Sequence, residues 1–353
     1  MPRGVQRLHN ICPNKHTSQT CTALSYDINT ALCAVHNKWH PSCRMVLPMT
    51  TRPRSAFLIV NPNAGRGKAA GARHIKRFCD AAKQRGLDVE VETTVGTGDA
   101  ARLAERAVRE GWREIIVAGG DGTINEALQS LAEKDVRLAV WPRGTANVLA
   151  RQLGLPFAAE RVAEIIARGT TRSITVGCAT NETSGARRYF FLMAGIGLDA
   201  SVVRGTKGGL KRRVGEAAYW YSGLQHLARW RPVSFEIEIS GQTYPATFAA
   251  IGKAARYGGN LAITPNARLD DAQFQICLVD SHSKLRYLHL LSHAMRSTGI
   301  IEQLPDVQIF RASRVRATGE ALVQTDGELI GTLPMTFEIA PERIDIIVSP
   351  TYS

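Results

Sequence analysis

Three short segments carry the residue types that hold phosphate: Asn61-Pro62-Asn63-Ala64-Gly65, Gly119-Gly120-Asp121-Gly122-Thr123 and Gly144-Thr145-Ala146-Asn147. Glycine lets the backbone come close to an anion, and a helix that follows directs open N–H groups and a partial positive charge at it. Each segment follows an apolar run that reads as a strand, and ligands of open α/β sheets sit at the carboxyl ends of strands. Together the three loops describe a nucleotide site. In the middle one, an acid amid phosphate donors makes sense as a handle for magnesium or its waters, which is the role expected of Asp121. The Gly122 and Thr123 amides would hold the phosphates, while Glu126 stands at capping-box spacing from Thr123. The plainer alternative is an Asp-Gly turn with Glu126 as a helix cap.

The first loop is ambiguous by itself. Gly65-Arg66-Gly67-Lys68-Ala69-Ala70 satisfies the relaxed dinucleotide fingerprint, with Glu90 and Glu92 downstream for a ribose. It is not a Walker A loop, because Pro62 stands five before Gly67 and Ala69 after Lys68 has no hydroxyl for magnesium.

These loops need a scaffold, and the apolar pattern supplies one. From Ala56 it alternates strand 56–60, helix 68–85, strand 88–93, helix 99–110, strand 114–118, helix 123–133, strand 137–141 and helix 146–153. That rhythm predicts a parallel α/β sheet, with Asp99 as a further helix cap. After about residue 172 strand-like runs dominate (189–193, 233–239, 247–251, 274–279, 307–310, 315–318, 321–325, 335–339), with helices only near 214–229 and 284–297. A second, mostly antiparallel β domain is expected, and the apolar run 344–348 is placed to return to the first. The expected boundaries are an α/β domain over 52–170 completed by 340–353, and a β-rich domain over 171–339.

Residues 1–51 show neither period and read as a poorly ordered extension, with Met45 or Met49 as alternative starts. The 353 residues carry 44% hydrophobic residues and a net charge of +13, enough for a core and for an anionic partner. Residues 1–50 hold five bases and one acid, so +9 belongs to the rest. No apolar run reaches membrane-spanning length and no signal sequence is evident, so a cytoplasmic location is expected. Seven cysteines without CxxC spacing indicate neither zinc nor a disulfide framework.

The three loops in this order resemble the diacylglycerol kinase catalytic-domain family, the soluble lipid kinases related to sphingosine and ceramide kinases. Met193-Ala-Gly-Ile-Gly-Leu-Asp-Ala200, Arg256-Tyr-Gly-Gly259, Pro265-Asn-Ala-Arg-Leu-Asp-Asp271 and Thr325-Asp326-Gly327-Glu328 look like the family's later motifs. The resemblance implies an ATP- and magnesium-dependent kinase, with the nucleotide in the cleft and the lipid presented by the β domain. It implies that Asp326 or Glu328 is the base on the lipid hydroxyl and that Thr94 contacts the nucleotide. It also implies a structural magnesium held by the Asp271 side chain with Arg268 and Gln273 as carbonyl donors, although Ala272 stands where the family has glycine. Two acids of a related metal network are replaced here by Val148 and Thr175.

The implied partners are a membrane lipid as substrate and an anionic membrane surface, on which the basic run 204–213 is suited to rest. No nucleic-acid module accompanies the charge, and a homodimer stays open. The rival readings are a metabolite kinase of the NAD kinase type, a dinucleotide oxidoreductase, and a non-catalytic lipid- or anion-binding module.

Overall fold

Ala56 to Val60 are wholly buried, as an apolar strand must be when helices cover both faces of its sheet. In the computed structural model this run is β1 (Arg54–Val60), paired in parallel with β2 (Leu87–Thr93) and β3 (Glu114–Gly119). β4 (Arg137–Pro142) extends the sheet beyond β3. The structure describes residues 54–65, 68–198, 200–201, 230–256, 261–295, 304 and 306–352, all within the unit Thr51–Ser353. The expected extension, the basic run 204–213 and the helix 214–229 lie outside the described residues.

Alternate side chains of β1 and β3 feed opposite cores. Phe57, Ile59, Ile115 and Val117 pack with Leu103 of α2 (Asp99–Arg109) and with Ile124 and Leu128 of α3 (Asp121–Leu131). Leu58, Val60 and Ile116 pack with Phe78 of α1 (Lys68–Lys83) and with Val162 and Ile166 of α5 (Ala159–Arg168). The short α4 (Val148–Gln152) follows the third loop.

The second half is antiparallel. A six-stranded sheet runs β12 (Val307–Ala312), β11 (Phe274–Val279), β10 (Phe248–Gly252), β7 (Met193–Gly197), β14 (Leu322–Thr325), β15 (Glu328–Thr332). Facing it, β13 (Arg314–Thr318), β8 (Phe235–Ile239) and β9 (Gln242–Ala246) continue the first sheet. Phe190, Ile196, Ile237, Ile251, Phe274, Val323 and Phe337 fill the sandwich between them. The joint is β16 (Met335–Ile347), which pairs antiparallel with β13 over Met335–Glu338 and with β5 (Thr171–Asn181), then parallel with β4 at Asp345 and Ile346. β6 (Arg187–Phe190) pairs with β5, and α6 (Lys284–Ala294) packs beside the six-stranded sheet through Tyr287 and Leu290.

The apolar rhythm does not mark α5, β5, β9 or β15. β5 offers no continuous apolar run, since Ile174, Val176 and Cys178 are separated by Ser173, Thr175 and Gly177, and β9 is a polar edge strand containing Pro245. Helix α4 starts at Val148 rather than at residue 146, because Asn147 sits at φ 47 as its N-cap.

Candidate active site

The three glycine-rich loops meet at the carboxyl ends of β1, β3 and β4. Asn61 organises the first: its N–H donates to Ala118 O (2.9 Å), its Oδ1 accepts the Asn63 N–H (2.9 Å), and its Nδ2 donates to Thr123 Oγ1 (2.9 Å). Pro62, Asn63 and Ala64 complete that turn, closed by the Ala64 N–H on Asn61 O (3.1 Å), and Gly65 leaves it at φ 91. A Cβ on Gly120 would stand 3.1 Å from Gly144 Cα, and one on Gly144 only 2.5 Å from Gly120 Cα. The second and third loops therefore touch backbone to backbone, a contact that excludes side chains. A Cβ on Gly119 would meet Thr123 Cβ at 2.6 Å. Asn147 closes the third loop, accepting from Gly144 N–H and donating to Gly144 O, both at 2.7 Å, and Thr145 is exposed between them. Thr94 is buried, its N–H on Val60 O (2.9 Å).

The expected roles of the acids change. Both oxygens of Asp121 accept backbone N–H groups of α4, from Val148 and Leu149 at 3.1 Å. Asp121 thus spends its charge on the α4 N-terminus, and any metal would use its remaining lone pairs. No side chain caps α3, whose first amides stay open to an anion. Glu126 does not form the capping box with Thr123. It reaches across to accept the Gly98 N–H and, at 3.1 Å, the Ala100 N–H at the start of α2. Nor does Asp99 cap its helix: its Oδ2 gathers the Val95 and Gly96 amides (2.7 and 3.2 Å), and Arg102 donates to its Oδ1. The Glu126 contact depends on which loops the sheet places side by side, whereas Asp99 turns back onto the loop just before its own helix.

Asp326 and Glu328, interchangeable by sequence, part company here. Asp326 sits at φ 48 in the β14–β15 turn. Its Oδ1 accepts the Leu192 and Met193 amides (2.9 and 3.0 Å), and its Oδ2 accepts the Phe191 amide (2.8 Å) and Asn125 Nδ2 (2.9 Å). Burial, opposed by these four donors, pushes its carboxyl up to about 6. Four donors fill the four lone-pair positions of a carboxylate, so Asp326 cannot take a proton without surrendering a partner. Glu328 is about half exposed and pairs through Oε2 with Arg188, while its Oε1 has no partner among the described residues. Arg188 also donates to Asn125 Oδ1 (2.9 Å). A continuous chain Asp326–Asn125–Arg188–Glu328 therefore ties the late acidic turn to α3, whose N-terminus is the second loop. Sequence reasoning missed Asn125 and Arg188; their signal, a polar residue on the apolar face of α3 and a cation beside an apolar strand, is too common to single out.

Arg143 was also missed. It lies between the first and third loops, with its guanidinium 5.2 Å from the Trp141 ring centroid and Nη2 4.0 Å from a Cβ built on Gly65. Its Nη1 is buried with no partner among the described residues, and burial lowers its pKa.

The expected structural magnesium does not fit. Lys253, wholly buried, donates to Arg268 O (3.1 Å) and to Asp271 O. The Asp271 carboxylate pairs with Arg311. Two of the three expected ligands are thus held by cations of the chain, and Gln273 remains as an exposed residue before β11. Burial pushes the Lys253 ammonium down to about 8.

Fold and loops define a class: an α/β layer with glycine-rich loops at its strand ends, whose sheet continues into an antiparallel β sandwich. Residues 55–179 match the diacylglycerol kinase catalytic domain, and residues 193–348 match the YegS C-terminal NAD kinase beta sandwich-like domain. A diacylglycerol kinase of Mycobacterium tuberculosis is 32% identical over 297 residues, spanning 82% of this chain and 93% of the relative. One of Staphylococcus aureus is 29% identical, spanning 83% and 92%. The crystal structure of a diacylglycerol kinase from Bacillus anthracis superposes with a TM-score of 0.67 at 23% identity, covering 85% of this chain and 98% of that one. This chain belongs to the diacylglycerol kinase family.

Proposed function

We propose that this protein is an ATP- and magnesium-dependent lipid kinase that phosphorylates a hydroxyl of a diacylglycerol-like lipid. The observation that carries the reading is the polar chain running from the late acidic turn to α3. It joins a carboxylate with an open oxygen, Glu328, to the helix whose uncapped N-terminus carries the second loop.

In this reading the Gly122 and Thr123 amides, the Asn61–Gly65 turn and the Gly144–Asn147 loop hold the nucleotide, with Thr94 at the edge and Arg143 adding charge beneath. Bound magnesium supplies neutralisation of the β- and γ-phosphates. Asp121 holds the α4 N-terminus against the second loop and offers its remaining lone pairs to that cation. Glu328 accepts the proton of the lipid hydroxyl as its oxygen bonds to the γ-phosphorus and the bond to the bridging oxygen breaks, giving phospholipid and nucleoside diphosphate. Arg188 orients Glu328, and Asp326 is a positioning residue that pins the turn to residues 191–193. The protein works against a membrane surface, with no membrane-crossing helix among the described residues.

The test is transfer of labelled γ-phosphate from ATP into a total lipid extract in mixed micelles, with and without magnesium. Magnesium-dependent label in a lipid is expected. Label only in an aqueous NAD-containing control would replace this reading with the metabolite-kinase one.

A further inference from the structure

We propose that Lys253 is a built-in cation that takes the place of a divalent metal in the 268–271 loop, so that the fold of this chain requires no metal there. A fully buried lysine is rare unless paired, and this one stands at the end of β10 with no exposed surface. Its ammonium bonds the carbonyl oxygens of Arg268 and Asp271.

The rest of the loop is satisfied by the chain as well. Leu269 O accepts the Thr175 N–H (3.1 Å), Asp271 O also accepts Thr175 Oγ1 (2.6 Å), and Asp270 O accepts Arg343 Nη2 (3.4 Å). The two side-chain carboxylates are engaged too, Asp271 by Arg311 and Asp270 by Arg268. Four consecutive carbonyls and both acids therefore have donors, and the buried Lys253 ammonium has its acceptors. Thr175, a hydroxyl where some related chains carry an acid, donates to Asp271 O beside the ammonium. A divalent ion at these oxygens would have to displace the Lys253 ammonium from its acceptors or lie beside its like charge, with Arg311 and Arg343 already bonded to the same loop.

The loop also reaches the candidate active site. The backbone N–H groups of Lys253 and Ala254 donate to Leu192 O (2.8 and 3.0 Å), and the Leu192 N–H donates to Asp326. Holding the loop with a covalently tethered cation keeps residues 191–193 fixed whatever the free magnesium level.

The test is thermal unfolding of the nucleotide-free protein in EDTA and in magnesium chloride, for wild type, Lys253→Met and Asp271→Asn. The expected result is a wild-type Tm that is the same in both buffers. Lys253→Met should melt about 5 °C or more lower in EDTA, because Arg268 O loses its donor, Asp271 O keeps only the Thr175 hydroxyl, and the loop loses its buried cation. A wild-type Tm that rises with magnesium, with the rise abolished by Asp271→Asn, would overturn the proposal. So would a Lys253→Met protein as stable as wild type. The wild-type comparison decides by itself if Lys253→Met fails to fold, and it is independent of which lipid, if any, is phosphorylated.

Discussion

Asp326 and Glu328 are two positions apart yet meet opposite surroundings, and that difference assigns their work. Glu328 keeps an open oxygen and an arginine that orients it. Glu328→Gln should therefore lower kcat about 10²- to 10⁴-fold, the usual range for losing a general base, while nucleotide affinity measured by calorimetry stays unchanged. Asp326 makes a different, pH-dependent contribution. Its pKa rises from about 3.9 in the unfolded chain to about 6 in the folded one. A raised pKa means that the folded state holds the proton more tightly. The stabilisation is full below about pH 4, is lost as pH rises through 6, and amounts to about 2–3 kcal/mol over that interval. Arg188 stands one residue removed through Asn125, and Glu328 lies beyond Arg188 in the same chain. Asp326→Asn presents an amide to four donors, so it should be less stable at every pH. Denaturant unfolding between pH 4 and 7 should nonetheless show a flatter profile than wild type. An unchanged slope would mean that Asp326 titrates near its ordinary value.

At the scale of elements, the site depends on how closely the second and third loops approach. Gly144→Ala places a Cβ 2.5 Å from Gly120 Cα, and backbone cannot yield as a side-chain tip does. The loops must separate, so nucleotide affinity should fall at least about tenfold, a loss of about 1.4 kcal/mol. Gly96→Ala, outside the three loops and where a Cβ meets nothing within 4 Å, should leave both folding and nucleotide affinity intact and serves as the control. The parallel strands and their helices were legible because β1, β3 and β4 are continuous apolar runs and α1 to α3 lie between them. The loops were legible because glycine at a strand end has few other uses. What could not be read was the pairing of distant polar groups: Glu126 with the α2 N-terminus, Asp121 with that of α4, Asn125 with Asp326, Lys253 with the 268–271 carbonyls. Each joins residues between 15 and 201 positions apart, and such partners are set by the register of sheets rather than by local spacing.

For the whole molecule, β16 matters most, because a single strand of 13 residues belongs to the β sandwich at one end and to the parallel sheet at the other. The turn bearing Asp326 and Glu328 is thereby carried on the same framework as the glycine-rich loops, and α3 reaches it directly through Asn125. The measurement that bears most directly on this account is magnesium-dependent transfer of labelled γ-phosphate from ATP to a lipid extract by wild type and Glu328→Gln, side by side. Wild type should give a labelled lipid, and the variant, which should still bind ATP, should give label reduced by two orders of magnitude or more. Equal labelling by both proteins would remove Glu328 from the reaction, and a folded, ATP-binding wild type that labels no lipid would contradict the lipid kinase itself.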